Sequence, residues 1–285
     1  MKYQIYREYD PSRVAVAESA LFTIWPILEP WYDDVVVVGG LVPRFLCGDI
    51  SASRPLPRPV TIDADVGIAL GASAGGMSSL QFALKDAGFH RTTSPEGLIR
   101  YAKQVGDYNV PLDFLTEYPP NTKGTATVDD IVASILPGIN RALATARQIK
   151  VAGVDLYGAT KENLPVRVCE AGPFLAMKLR AFADRQAPKD AFDILYTLLH
   201  YDQGTKAAVA AFAEEVRVGN PACTDAVSCL NRHFHDEQSS APVRAASFVL
   251  GQAVPGEPGD IRTRRLQIQQ DTVDAGALLL KSIPT

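Results

Sequence analysis

Two carboxylates, Asp63 and Asp65, stand one residue apart in the run Thr61-Ile-Asp-Ala-Asp-Val-Gly-Ile-Ala-Leu70. Alternate residues of a strand share a face, so both acids point one way and Ala64 the other. Two like charges on one face repel unless a cation lies between them. Mg2+, a hard ion that prefers oxygen and keeps substrate phosphates as co-ligands, suits such a pair. A solvated acidic strand edge is the plain alternative, although Val66, Ile68 and Leu70 favour a central strand. Asp113 is the one charge in Val110-Pro-Leu-Asp-Phe-Leu115. A lone carboxylate among apolar residues needs a partner. A capping or loop acid is one reading. If its strand lies beside the first, three carboxylates converge, an arrangement that holds two metal ions and lets Asp113 help deprotonate an attacking hydroxyl. Pro111 places that strand at a sheet edge or at its own start.

The elements that would position these acids follow from patterning. Residues 12–29 read as a helix, and Val35–Val38 is an uninterrupted β-branched run suited to a buried strand. It ends at Gly39-Gly40, before a helix that begins with Leu41. Backbone N–H groups exposed there form an anion site that glycine leaves open to phosphate; ordinary turn chemistry produces the same pattern. Residues 48–60 are rich in Pro, Ser and Arg and read as a surface loop. Thr61–Leu70 is the second strand, 76–87 a helix stopped by Gly88, and 97–103 and 109–116 two further strands. After Pro119-Pro120 the expected character is helical: Ile131–Ile149, Phe174–Ala187, Pro188 to about His200, and most of the remainder. The expected fold is α+β. It has a small mixed sheet in an N-terminal domain, residues 1–150, and a mainly helical domain, residues 151–285.

The composition, with 47% apolar and 21% charged residues and a net charge of −4, is that of a globular protein and argues against one that coats nucleic acid wholesale. Four scattered cysteines, Cys47, Cys169, Cys223 and Cys229, are too sparse for a disulfide framework and fit a reducing cytoplasm. The mixed-charge N-terminus is unlike a signal peptide, and no apolar run is long enough to span a membrane. The expectation is a soluble cytoplasmic protein. Cys223, Cys229, His233 and His235 do not have a recognised zinc spacing.

The order Gly39-Gly40, Arg58-x-x-Thr61-x-Asp63-x-Asp65, then a hydrophobic strand with Asp113, resembles the polymerase β-type nucleotidyltransferases. More narrowly it resembles the AbiEii/AbiGii type, toxins of bacterial type IV toxin–antitoxin and phage-defence systems. Phe174-Leu-Ala-Met-Lys178-Leu-Arg-Ala181 and Lys189-Asp190-Ala-Phe-Asp193 are similar to that family's lysine-bearing helix and its (R/K)-D-x-(Y/F)-D helix start. The resemblance covers residues 33–200. It implies that Asp63 and Asp65 ligate Mg2+, with Asp113 as the third metal-site carboxylate. It also implies that Gly39 and Gly40 bind the triphosphate of an NTP, with Arg44 and Thr61 nearby. Lys178 would contact nucleotide phosphates, with Lys189, Asp190 and Asp193 completing the site. The implied reaction moves a nucleoside monophosphate to an acceptor hydroxyl, such as the tRNA 3′ end, and a cognate antitoxin is an implied partner. Gly-Gly replaces the family's frequent Gly-Ser, and the stretch from Gly40 to Asp63 is long.

Each second-half residue also has a structural reading. Asp190 fits a helix first turn, Lys178 could extend from a packed face, and Asp193 could be solvated. Between residues 141 and 189, nine Lys/Arg against four acids suit triphosphate or RNA, as do Arg44, Arg54, Arg58 and the run Arg262, Arg264, Arg265. Solvated helix faces look the same. Two other functions remain open: transfer to a small molecule, and a catalytically silent domain that binds nucleotide or a partner.

Overall fold

The structure is a computed structural model that describes residues 3–48, 56–72, 79–94, 97 and 99–283. It combines a mixed sheet with many helices. The chain divides into two compact units, Asp10–Val42 with Val60–Glu170, and Met1–Tyr9 with Pro43–Pro59 and Ala171–Thr285.

The first unit carries the sheet. Its described strands are β1 Val35–Val38, β2 Ala64–Ile68, β3 His90–Thr93, β4 Ile99–Val105, β5 Tyr108–Thr116, β6 Thr125–Val128, β7 Ile131–Ile135, β8 Arg147–Val154 and β9 Thr160–Val168. They run in the order β3-β4-β5-β2-β1-β9-β8, with β7 pairing β5 and β6. β1 lies antiparallel to β2 and parallel to β9, and all four of its valines are buried. That is where β-branched side chains pack best. β5 runs parallel to β2, in a register that sets Asp65 beside Asp113 and Val66 beside Phe114.

The helices of the first half are α1 Pro11–Ile24, α2 Val42–Leu46, α3 Leu80–Asp86 and α4 Ile139–Ala144. Asp10 caps α1, accepting from the Ser12 N–H at 2.9 Å, and Pro11 opens the first turn. Ser79 caps α3 in the same way, accepting from the Phe82 N–H. Glu117 is buried and accepts from the Gly138 and Asn140 N–H groups at the start of α4.

The second unit holds α5 Ala171–Arg185, α6 Pro188–His200, α7 Thr205–Arg217, α8 Cys223–His233, α9 Ser240–Leu250 and α10 Gly259–Ser282. Aromatic rings fill its core: Phe192 lies 4.9 Å from Phe248, and Phe182 lies 6.0 Å from Phe234. No helix among the described residues is long and apolar enough to cross a membrane.

Several expectations need correction. Ile131–Ile149 is not a helix. It comprises β7, the short α4 and the start of β8, separated by Pro137-Gly138 and Thr145-Ala146. The sheet is accordingly larger than expected and includes β8 and β9, beyond residue 150. The first helix stops at Ile24 and continues as 3-10 turns over Trp25–Asp34, which contain Pro26 and Pro30. The second strand is only Ala64–Ile68, so Asp63 precedes it. Pro111 lies inside a central strand. It pairs Ala102 of β4, while β2 joins the other edge of β5 only from Leu112 onward, so the missing N–H interrupts no ladder there. Arg54, most of the 48–60 loop, residues 76–78 of the expected helix and residue 98 of the expected strand lie outside the described residues.

Close helix packing gives a test of the second unit. A Cβ added at Gly172 of α5 would stand 2.5 Å from the Ala211 carbonyl oxygen of α7, and backbone cannot yield as a side chain can. Gly172→Ala is expected to destabilise by about 1–3 kcal/mol, read as a lower urea midpoint.

Candidate active site

The sheet register assembles the acids. Asp113 on β5 has Asp65 of β2 on one side. On the other, the β4–β5 ladder pairs Tyr101 with Leu112, so the next step carries Arg100 opposite Asp113. The side chains meet as a fork: Arg100 Nε donates to Asp113 Oδ1 at 2.9 Å, and Nη2 donates to Oδ2. The same Nη2 lies 4.0 Å from Asp63 Oδ2. The Arg100 guanidinium is held charged even more firmly than usual, chiefly by the hydrogen bonds it donates to Asp113, with the charges of Asp113, Asp63 and Asp65 adding to them. Three carboxylates thus converge on one cation. The Arg100 and Asp113 side chains are 23% and 24% exposed, whereas Asp63 is buried.

Two local devices place the remaining groups. The Thr61 hydroxyl bonds the main chain of Asp63, donating to its carbonyl at 3.3 Å and accepting from its N–H at 3.4 Å. Thr61 is buried and positions Asp63. Gly39 adopts φ +68°, and a Cβ there would lie 1.9 Å from Asp65 Oδ2. Only glycine lets the Asp65 carboxylate rest against this turn. Gly40 follows, buried in a 3-10 turn, and α2 beyond it is five residues long.

The other expected residues lie in the helical unit. Arg44 donates to the Pro59 carbonyl at 2.6 Å and fastens that segment. Lys178 and Arg185 on α5 and Lys189, Asp190 and Asp193 on α6 form a single ion network. The Lys178 ammonium donates to Asp190 at 3.0 Å and Asp193 at 2.8 Å, Lys189 donates to Asp193 at 2.5 Å, and Arg185 makes a two-point fork on Asp190. Asp190 and Asp193 are almost wholly buried, and Asp193 Oδ1 has no hydrogen-bond partner among the described residues. Burial alone would lower the Lys178 pKa, but Asp193 and Asp190 outweigh it and raise it. Lys189 shows the opposite balance, burial pulling it down to about 8 despite Asp193.

No protein-family model matches the chain, and no curated protein matches it. Among the described residues, no group of three or more His, Cys, Asp or Glu side chains is spaced to hold a metal ion. Arg100, which forks onto Asp113, was missed in the sequence. The signal was there: it is the basic residue at the start of a strand whose hairpin partner carries Asp113.

Two outcomes follow. Gly39→Ala is expected to cost about 1–2 kcal/mol from backbone strain and to displace the Asp65 carboxylate, seen as a lower urea midpoint. For Lys189, the folded-state pKa lies below the unfolded value, so the unfolded chain binds the proton more tightly. The penalty of the buried charge is therefore present in full below about 8, and stability rises as pH climbs from there toward 10.5. Urea midpoints across that window are expected to climb for the native chain, with Lys189→Met losing that component.

Proposed function

We propose that this protein is a nucleotidyltransferase, with its reacting centre at Asp63, Asp65 and Asp113. The observation that supports this most is the convergence of those three carboxylates at the β2–β5 register, against a glycine turn that leaves no room for a Cβ. Negative charge concentrated on a rigid central sheet is unfavourable unless a cation compensates it, and a rigid element is where a reactive constellation is held best.

The donor chemistry suits Mg2+, since every candidate ligand is a carboxylate oxygen. The spacing does not close on a metal, because the Arg100 fork engages both oxygens of Asp113. Asp63 and Asp65 are the residues that would hold the ion, which when bound would neutralise phosphate charge. For the chain's own residues, Thr61 fixes Asp63, Gly39 admits Asp65 and the β2 register positions Asp113. Asp113, once free of Arg100, is placed to accept the proton of an acceptor hydroxyl. The resemblance in the sequence supplies the finer reading: an NTP donor, a tRNA or other RNA acceptor, and a toxin or phage-defence role with a cognate antitoxin.

One observation favours a second reading, a catalytically silent domain that binds nucleotide or a partner: Asp113 is fully engaged by Arg100, as a purely structural ion pair would be. Incubation with NTPs labelled at the α-phosphate and total tRNA separates the two. The expected result is label in RNA, reduced about 100-fold or more by Asp65→Asn with the circular dichroism of the fold unchanged. Label on a small hydroxyl compound would redirect the acceptor. Absence of transfer to any acceptor would favour the silent reading.

A further inference from the structure

The helical unit holds a cavity of about 420 Å3 between α9, α10 and the segment 251–258 that joins them. That size lies within the range of small-molecule sites, roughly 300–1,000 Å3. Helical spacing builds its walls: Arg262, Leu266 and Gln269 recur along one face of α10, as Val243 and Ser247 do along α9. Arg265, on the same face of α10, fixes the third wall. Its Nη1 donates to the Gly251 carbonyl at 2.9 Å, while Nε and Nη2 fork onto Glu257, and both side chains of that fork are nearly buried. The joining segment is thereby fastened to α10, and the cavity is formed before any ligand arrives.

The lining sets the ligand. Ser247 is 3% exposed and Gln269 5%, and neither side chain has a hydrogen-bond partner among the described residues. A buried hydroxyl and a buried amide left unpaired are each costly, and a ligand that bonds them recovers that cost. Arg262 is exposed and makes no side-chain hydrogen bond among the described residues; its charge reaches Glu257, which Arg265 already forks. Two arginines against one glutamate leave the lining with a single surplus positive charge. One carboxylate balances that surplus, where a phosphate monoester, at roughly −1.5 to −2, would exceed it. Val243 and the half-exposed Leu266 add apolar surface beside these groups. We propose that this cavity binds a small organic acid: a carboxylate paired with Arg262, an amide bonded by Gln269 and Ser247, and an apolar side chain against Val243 and Leu266. A free N-acylated amino acid and the C-terminal residue of a peptide both present that chemistry. The cavity lies wholly within the helical unit, so the inference is independent of the carboxylate centre on the sheet.

The probe is N-acetyl-L-leucine, titrated into the full chain by calorimetry. N-acetyl-L-leucine amide lacks its charge, and 4-methylpentanoate lacks its amide. Saturable binding of the probe is expected, weakened about tenfold for each analogue. Arg262→Gln is expected to weaken the probe about tenfold and to bind it no better than its uncharged amide. Gln269→Leu is expected to weaken the probe about tenfold while raising the melting temperature, because an unpaired buried amide is removed. If either variant fails to fold, the analogue series on the wild type carries the comparison. An N-acetylated pentapeptide ending in leucine separates the two sources: affinity equal to the probe's or higher assigns the site to peptide C-termini, and loss of binding assigns it to free acylated amino acids. Absence of saturable binding by both probe and pentapeptide would overturn the proposal. So would probe binding that the two variants leave unchanged, or a melting temperature lowered by Gln269→Leu with binding intact.

Discussion

The pairing of Arg100 with Asp113 is the interaction on which the centre of this protein depends. Parallel pairing of β2 with β5 forces Asp65 and Asp113 onto neighbouring positions of one sheet face, and Asp63 follows from the turn that leads into β2. Such crowding of like charge on a rigid sheet is unfavourable by itself. The β4–β5 hairpin answers it by carrying a guanidinium to the same place. The strands that create the electrostatic problem and the strand that relieves it are thus set by one continuous register, with β5 common to both.

The helical unit handles charge differently. Its network joins Lys178, Lys189, Asp190 and Asp193, all nearly closed to solvent, with Arg185, whose side chain is 45% exposed. Removing one partner from such a set leaves an uncompensated buried charge, which costs about 3–5 kcal/mol. An interior network of this kind fixes a helix pair, whereas the Arg100–Asp113 pair is reached by solvent.

Much of this was legible in the sequence where local chemistry dictates structure. Four consecutive valines made β1, and the Pro188 start and apolar spacing made α6. The failures have physical causes. Buried Ile131, Ala133 and Ile135 alternate with half-buried neighbours as a strand requires, but the helix-forming run of α4 follows closely and blurred the two periods. Pro111 looked like an edge marker because the sequence does not show where a neighbouring strand begins. Arg100 was overlooked because its role arises from pairing across the hairpin, a non-local fact. Conversely, Lys178 and Asp193 were noticed by resemblance, while their mutual neutralisation became visible only when α5 and α6 were brought together.

The central proposal is that Asp63, Asp65 and Asp113 form one cation-dependent centre. Its most direct test is a crystal structure of the full chain grown with Mn2+ and tripolyphosphate, using anomalous scattering to locate the manganese. The account predicts manganese at the carboxylates of Asp63 and Asp65. Manganese bound elsewhere, or no manganese at these carboxylates, would contradict it.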